Sequence, residues 1–452
     1  MQQTFCSSLP LRGQTIRAAQ TVPSLLASCS GLTIALSLAL ALPIHAQAPR
    51  PASSRPDLQA LLRAVEEALN RKDFPTAVTA LKSVVERQPD LAPAWFNLGY
   101  AYSGLDQDDE AEKAYQKALE LKPDLFEARL NLGILLVKMN KPEAASEQLG
   151  KAVELKPEHA RARLYYGRAL SLTSQPDAAE KQFQQTLALD PKLAIADFDL
   201  GQLYLKQKRF EDALAAFKKA AELDAALPQA ELGMALASEG LSRPADAVPH
   251  LEKYLAAQPL DLETRFHLAQ TYLRLGKNEE ALQNLDTVFR ARPDLPGLAA
   301  ALGDVNALLK KLPESEKFYR QAVRATPNEA DLHRALGQTL LDEQKFVEAE
   351  AEFRQSLKLD PRNREAAKGL ASSLYLEKHY GEAIPILEAL LKAPDPPIGL
   401  YFVLATCYDD LRIRPKALEA YERFLELSHD QSPDQEWQAR QRAKLLRREL
   451  RK

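Results

Sequence analysis

An all-α array of stacked helical pairs, not a single globular core, is the fold class this sequence predicts, and three observations predict it. Prolines recur every 34 residues, at Pro89, Pro123, Pro157, Pro191, Pro259, Pro293, Pro327 and Pro361, with Ala225 on the one skipped step. Ten residues on from each step comes a small residue: Gly99, Gly133, Gly167, Gly201, Ala235, Ala269, Gly303, Gly337, Ala371 and Ala405. Twelve further on stands alanine (Ala111, Ala145, Ala179, Ala213, Ala247, Ala281, Ala349, Ala383, Ala417) or Ser315, often with a bulky apolar residue four later, as at Tyr115, Leu149, Phe183, Phe217, Phe353 and Tyr421. Between these marks apolar side chains fall three and four apart, the spacing of a helix with one buried face. A fixed period of this length signals identical supersecondary units stacked side by side.

Each period reads as two short helices that cross closely where glycine and alanine leave room for backbone contact. The proline ends the second helix, because it lacks an N–H and restricts the residue before it to extended angles. Residues 92–125 carry the unit most clearly, with Trp95, Leu98, Gly99, Tyr102, Ala111, Tyr115, Ala118 and Pro123. This resembles the tetratricopeptide repeat, whose signature is a W-x₂-L-G-x₂-Y opening, then alanines, an aromatic and a terminal proline. The resemblance implies an all-α, right-handed superhelical solenoid of about eleven helix-turn-helix units with a C-terminal capping helix.

Taken in chain order, residues 1–46 read as a secretory signal peptide. Arg12 and Arg17 precede a 14-residue apolar run from Gly31 to Ile44, followed by Ile44-His45-Ala46 as a small-residue cleavage site. Leu26-Ala27-Ser28-Cys29 resembles a bacterial lipoprotein box, but its apolar run follows the cysteine instead of preceding it. Residues 47–57 form a linker, and 58–431 hold eleven units in one register. The first (58–91) has Val65 in the glycine position, as befits a cap. The sixth (228–261) places Glu231, Met234 and Ser238 at signature positions, with Leu232-Gly233 early. It also carries Pro249 inside its second helix, and Pro385 repeats this in the tenth, so both helices are expected to bend or start late. By contrast Pro75, Pro142, Pro176, Pro244, Pro313 and Pro415 fall near the start of a second helix, where proline is tolerated. Residues 393–399 replace the usual end of the tenth unit and are the expected flexible break. Ser432-Pro433-Asp434-Gln435 predicts a capping box opening a basic helix over 432–452 that covers the last unit.

Removal of the signal would leave 57 basic against 62 acidic residues, a balance that does not suggest nucleic-acid binding. Only Cys407 would remain, so no intramolecular disulfide is expected and burial is its expected role. The basic helix, with Arg440, Arg442, Lys444, Arg447, Arg448, Arg451 and Lys452, could meet an acidic partner or an anionic membrane surface. Phosphate loops, zinc helices, nucleophile elbows and haem motifs are absent from the sequence. His159, His250, His267, His333, His379 and His429 are scattered among units, and Asp106-Gln-Asp-Asp-Glu110 lacks the glycine and closing glutamate of a calcium loop. No enzyme activity, cofactor or metal is therefore expected.

The resemblance implies that first helices line a concave face on which partner segments lie. Its fifth place falls on Phe96, Leu130, Leu164, Phe198, Leu232 and Phe266 in units two to seven, and its ninth on Tyr100, Ile134, Arg168, Gln202, Leu236 and Gln270. An apolar ladder with polar neighbours suits an extended or helical segment with regularly spaced anchors. Asn97 and Asn131 hold the sixth place, where some members hydrogen-bond a peptide backbone, although Tyr165 and Asp199 interrupt the series. Arg334 and Lys368 stand where relatives grip a terminal carboxylate, but the accompanying asparagines are replaced by Gln338 and Ser372. The expected function is an exported scaffold of the bacterial cell envelope, periplasmic or secreted, that binds a protein or peptide. Two alternatives are a lipid- or membrane-anchored assembly factor for a secretion, pilus or polysaccharide-export machine, and an accessory or carbohydrate-binding subunit of an envelope enzyme. The last would need a polar, aromatic-rimmed pocket within one or two units.

Overall fold

In a computed structural model, residues 57–429 and 431–451 are described, and among them lie 23 α-helices and no strand. The signal peptide and nearly all of the linker expected from the sequence lie outside the described residues. The chain divides into two compact bodies, one up to His250 and one from Leu251.

The first body holds helical pairs α1 (Leu58–Asn70) and α2 (Phe74–Arg87), α3 (Ala92–Gly104) and α4 (Asp108–Leu121), α5 (Phe126–Lys138) and α6 (Pro142–Leu155). They continue as α7 (Ala160–Leu172) and α8 (Pro176–Leu189), α9 (Ala194–Lys206) and α10 (Phe210–Leu223), then α11 (Pro228–Gly240). The division falls inside α12 (Pro244–Ala257). The second body continues with α13 (Leu262–Arg274) and α14 (Asn278–Ala291), α15 (Leu298–Leu308) and α16 (Leu312–Ala325), α17 (Ala330–Asp342) and α18 (Phe346–Leu359). Last come α19 (Arg364–Leu376) and α20 (Tyr380–Leu391), α21 (Gly399–Asp410) and α22 (Arg414–Ser428), and α23 (Pro433–Glu449).

Every turn within a pair contains one residue in the left-handed region: Lys72, Asp106, Asn140, Ser174, Lys208, Ser242, Gly276, Lys310, Gln344, Lys378 and Arg412. These stand 34 apart without a gap, so the turn keeps the period even where Ala225 replaces a proline. Only Gly276 adopts this conformation without a Cβ penalty.

Where the small residue of a first helix is glycine, it is a socket. A Cβ at Gly99 would lie 2.7 Å from the Tyr115 ring, at Gly167 2.7 Å from Phe183 and at Gly303 2.6 Å from Tyr319. This accounts for the pairing of glycine with a bulky residue sixteen positions later. Phe217 is gripped from both sides, by Gly201 of its own unit and Gly233 of the next, and Phe353 likewise by Gly337 and Gly369. The early glycine of unit six is thus the second wall of a socket. In several units the fourth place ties the pair to its entry loop. Trp95 Nε1 donates to the Pro89 carbonyl at 2.8 Å, Arg129 to that of Pro123 at 2.8 Å, Arg163 to that of Pro157 at 2.6 Å and His333 to that of Pro327 at 3.0 Å.

The expectation that interior prolines delay their helices is corrected. α12 and α20 start in register with the other second helices, because Pro249 and Pro385 both face solvent, where a freed carbonyl can be hydrated. α20 does end early, at Leu391, and residues 392–398 connect it to α21. The capping box is also corrected: Ser432 occupies the N-cap of α23 but makes no side-chain capping bond, and its backbone carbonyl accepts from the Glu436 N–H at 2.9 Å. α23 buries Ala439, Ala443 and Leu446 in a cluster with Tyr421 and Phe424. Ala439 stands 34 residues after Ala405, so α23 is the first helix of a further half-unit.

Candidate partner-binding surface

Within each body, first helices of successive units pack directly on one another, as α3 on α5, α5 on α7, α7 on α9 and α9 on α11 in the first, and α15 on α17 and α17 on α19 in the second. Second helices make no comparable contact with each other. Within each body the first helices therefore form a packed inner layer, and the candidate residues lie on it.

Burial divides these candidates. Phe96, Leu130, Leu164 and Ile134 are buried in the packing between helices. Phe96 stands 5.9 Å from the Tyr115 ring, and Phe198, half-buried, stands 5.6 Å from the Phe217 ring. Asn97 is buried, while Asn131 is half-buried and donates to the Glu127 carbonyl of its own helix at 2.9 Å. Tyr100 is half-buried with its ring edge-on to Phe74 at 5.9 Å. Arg168 Nε bonds Asp199 at 2.5 Å, and its guanidinium lies 5.0 Å from the centre of the Tyr165 ring. Gln202 is half-buried. In the second body Phe266 is half-buried and Gln270 exposed. The accessible row thus comprises Tyr100, Asn131, Tyr165, Arg168 and Gln202 in the first body, above a packed apolar layer. The carboxylate-clamp positions are engaged locally, Lys368 with Glu365 at 2.8 Å and Arg334 with Asp331 at 3.6 Å.

One feature of the second body was not visible in the sequence. A cavity of about 340 Å³ opens where α23 meets α21 and α22. Phe402, Tyr421 and Trp437 form its aromatic walls, with Thr406 and Tyr375 beside them and Gln438, Gln441 and Leu445 at the rim. Trp437 is 64% exposed, a high value for so large an apolar surface. Arg442 closes one side and is held by Asp409, with Nη2–Oδ1 at 2.8 Å. Cys407, on the same helix as Phe402, is buried as expected, and burial pushes its thiol up to about 12.

Family models described as tetratricopeptide repeat match residues 92–125, 109–166, 173–230, 232–296, 266–330 and 334–397. The chain is a tetratricopeptide repeat protein. No curated protein matches this repeat chain. Among solved structures, MamA is 27% identical and matches 37% of this chain and 92% of its own, with a TM-score of 0.35. PilW, a widely conserved type IV pilus biogenesis factor, is 22% identical over 47% of this chain and 98% of its own, at a TM-score of 0.42. YrrB, a tetratricopeptide repeat protein with an unusual peptide-binding site, is 22% identical over 42% of this chain and 97% of its own, at 0.36. Among the described residues no helix is long and apolar enough to cross a membrane.

Proposed function

We propose that this tetratricopeptide repeat protein is an exported, non-catalytic scaffold of the bacterial cell envelope that holds an extended or helical protein segment on its inner layer. The observation that carries the reading is the row Tyr100, Asn131, Tyr165, Arg168 and Gln202, which leaves aromatic and polar side chains partly exposed on successive first helices. Such a row offers regularly spaced anchors to one partner segment. In the second body Phe266 and Gln270 offer the same chemistry on the first helix of unit seven. Export rests on the apolar run 31–44 and the small residues that follow it.

A photo-crosslinker placed at Tyr100 or Gln202, compared with one at the exposed Lys181 of α8, tests the reading in the native cell. Adducts from the inner positions alone support it; equal yields from Lys181 would refute it. Phe96 is unsuited to such tests because its removal would disturb packing on Tyr115. A second reading, an accessory subunit that binds carbohydrate, draws support from the aromatic cavity rimmed by Trp437, Gln438 and Gln441. Trp437→Ala would abolish saccharide binding there and leave capture at Gln202 intact. For a membrane-anchored factor the distinguishing observation is the mature N-terminus, lipidated Cys29 in place of Gln47.

A further inference from the structure

At three junctions a cation at the N-cap of the second helix reaches back to a glutamate of the preceding unit. Lys141 bonds Glu112 at 2.7 Å, Arg209 bonds Glu180 at 2.8 Å and Lys345 bonds Glu316 at 2.6 Å. Lys345 also meets Glu343, the C-cap of α17, at 2.8 Å, so its ammonium sits between two carboxylates. One unit later the same seat recurs with Glu350 and Glu377, but His379 replaces the lysine.

The shorter imidazole does not close the seat. Its Nδ1 stands 3.8 Å from Glu350 and 3.7 Å from Glu377, beyond hydrogen-bond range. Atoms that share one Zn²⁺ at about 2.0–2.2 Å lie roughly 3.4 Å from one another at the tetrahedral angle. The three ligand atoms all lie within 4.8 Å of one another. Glu377 Oε1 is buried without a hydrogen-bond partner. Arg354 Nε holds Glu350 Oε1 at 2.7 Å, which fixes that carboxylate. Arg354 is itself shared with Glu382 at 2.6 Å, so it only partly offsets the charge of the two glutamates at the seat. His379 is about half exposed, which leaves an entry path and a position for water.

We propose that Glu350, Glu377 and His379 form a Zn²⁺ site that takes the place of the lysine staple between units nine and ten. One nitrogen and two carboxylate donors suit Zn²⁺, whereas Mg²⁺ and Ca²⁺ favour all-oxygen shells. Bound metal would join α18, the end of α19 and the start of α20.

Calorimetric titration of the full chain with zinc sulfate near neutral pH tests this. The wild type should bind Zn²⁺ at this site, and His379→Lys should lose that step while keeping its helicity, because the lysine fills the seat as Lys345 does. Glu377→Gln should lose the same step, guarding against an effect peculiar to one variant. Lys345→His should gain one site, made with Glu316 and Glu343. An isotherm unchanged in His379→Lys, no saturable binding in the wild type, or no added site in Lys345→His would each overturn the proposal.

Discussion

Replacing Phe217 with alanine should carry the full cost of a core truncation, because its socket is walled by backbone. The side chain is fully buried. A Cβ at Gly201 would lie 2.8 Å from its Cδ1, and one at Gly233 2.6 Å from its Cζ. Truncating a buried phenylalanine costs about 3–5 kcal/mol, depending on how far the surroundings collapse into the space. Two glycines have no side chain to swing inward, so a value of about 4 kcal/mol is expected. In a repeat array, stability is a sum over units and nearest-neighbour interfaces. The loss should therefore be local to α9, α10 and α11. Hydrogen exchange read by mass spectrometry is the appropriate assay. With each 1.4 kcal/mol worth a factor of ten, protection in those helices should fall by roughly several hundredfold. That of α1 to α3 should hold. A fall of less than about tenfold in α9–α11, or one spread evenly to α1–α3, would show that the socket does not hold the joint.

Other expectations follow from single residues. Lys208→Gly should stabilise the chain by about 0.5–1 kcal/mol in urea unfolding, since lysine there has φ 59°, while Gly276→Ala, at φ 71° in open space, should destabilise it by about 1 kcal/mol. Trp95→Phe should cost about 1 kcal/mol, because it keeps the ring but leaves the Pro89 carbonyl without the indole donor. Cys407 binds its proton more tightly folded than unfolded, so its contribution is fully present below the unfolded thiol's value of about 8.5 and is lost as pH rises toward about 12. Cys407→Ala should flatten that alkaline decline in a pH series of melting temperatures, and the native thiol should resist a disulfide reagent until the protein unfolds.

The register of the fold was legible because prolines, glycines and alanines each answer a local steric demand that leaves little choice of residue. Gly99 and Tyr115, sixteen residues apart, show this, since one is the socket of the other. The left-handed turn was not legible, although it keeps the period without a gap, because Lys72, Asp106, Ser174 and Gln344 share no chemistry. The inner surface was legible only as a list of places. Phe96 and Phe198 hold the same place, yet one is buried and the other half-buried. That difference depends on the neighbouring unit, which a residue's own repeat does not encode. The seat of His379 was hidden for a related reason. Glu350 stands 29 residues before it, on the preceding unit, and the match appears only when Lys345 and Glu316 are seen in the same arrangement.

The two-sided phenylalanine sockets have a further consequence, for how such an array could change its length. Phe217 and Phe353 present the same ring to a glycine at the same place of the following unit, Gly233 and Gly369. Those two boundaries are interchangeable couplings. Excising or duplicating the block between them, from unit six through unit nine, would rejoin matched parts. At the boundary between units four and five the position sixteen after Phe183 is Asp199, not glycine, so that boundary lacks this coupling. Removal or duplication of units six to nine would therefore keep a phenylalanine opposite a glycine at the new junction.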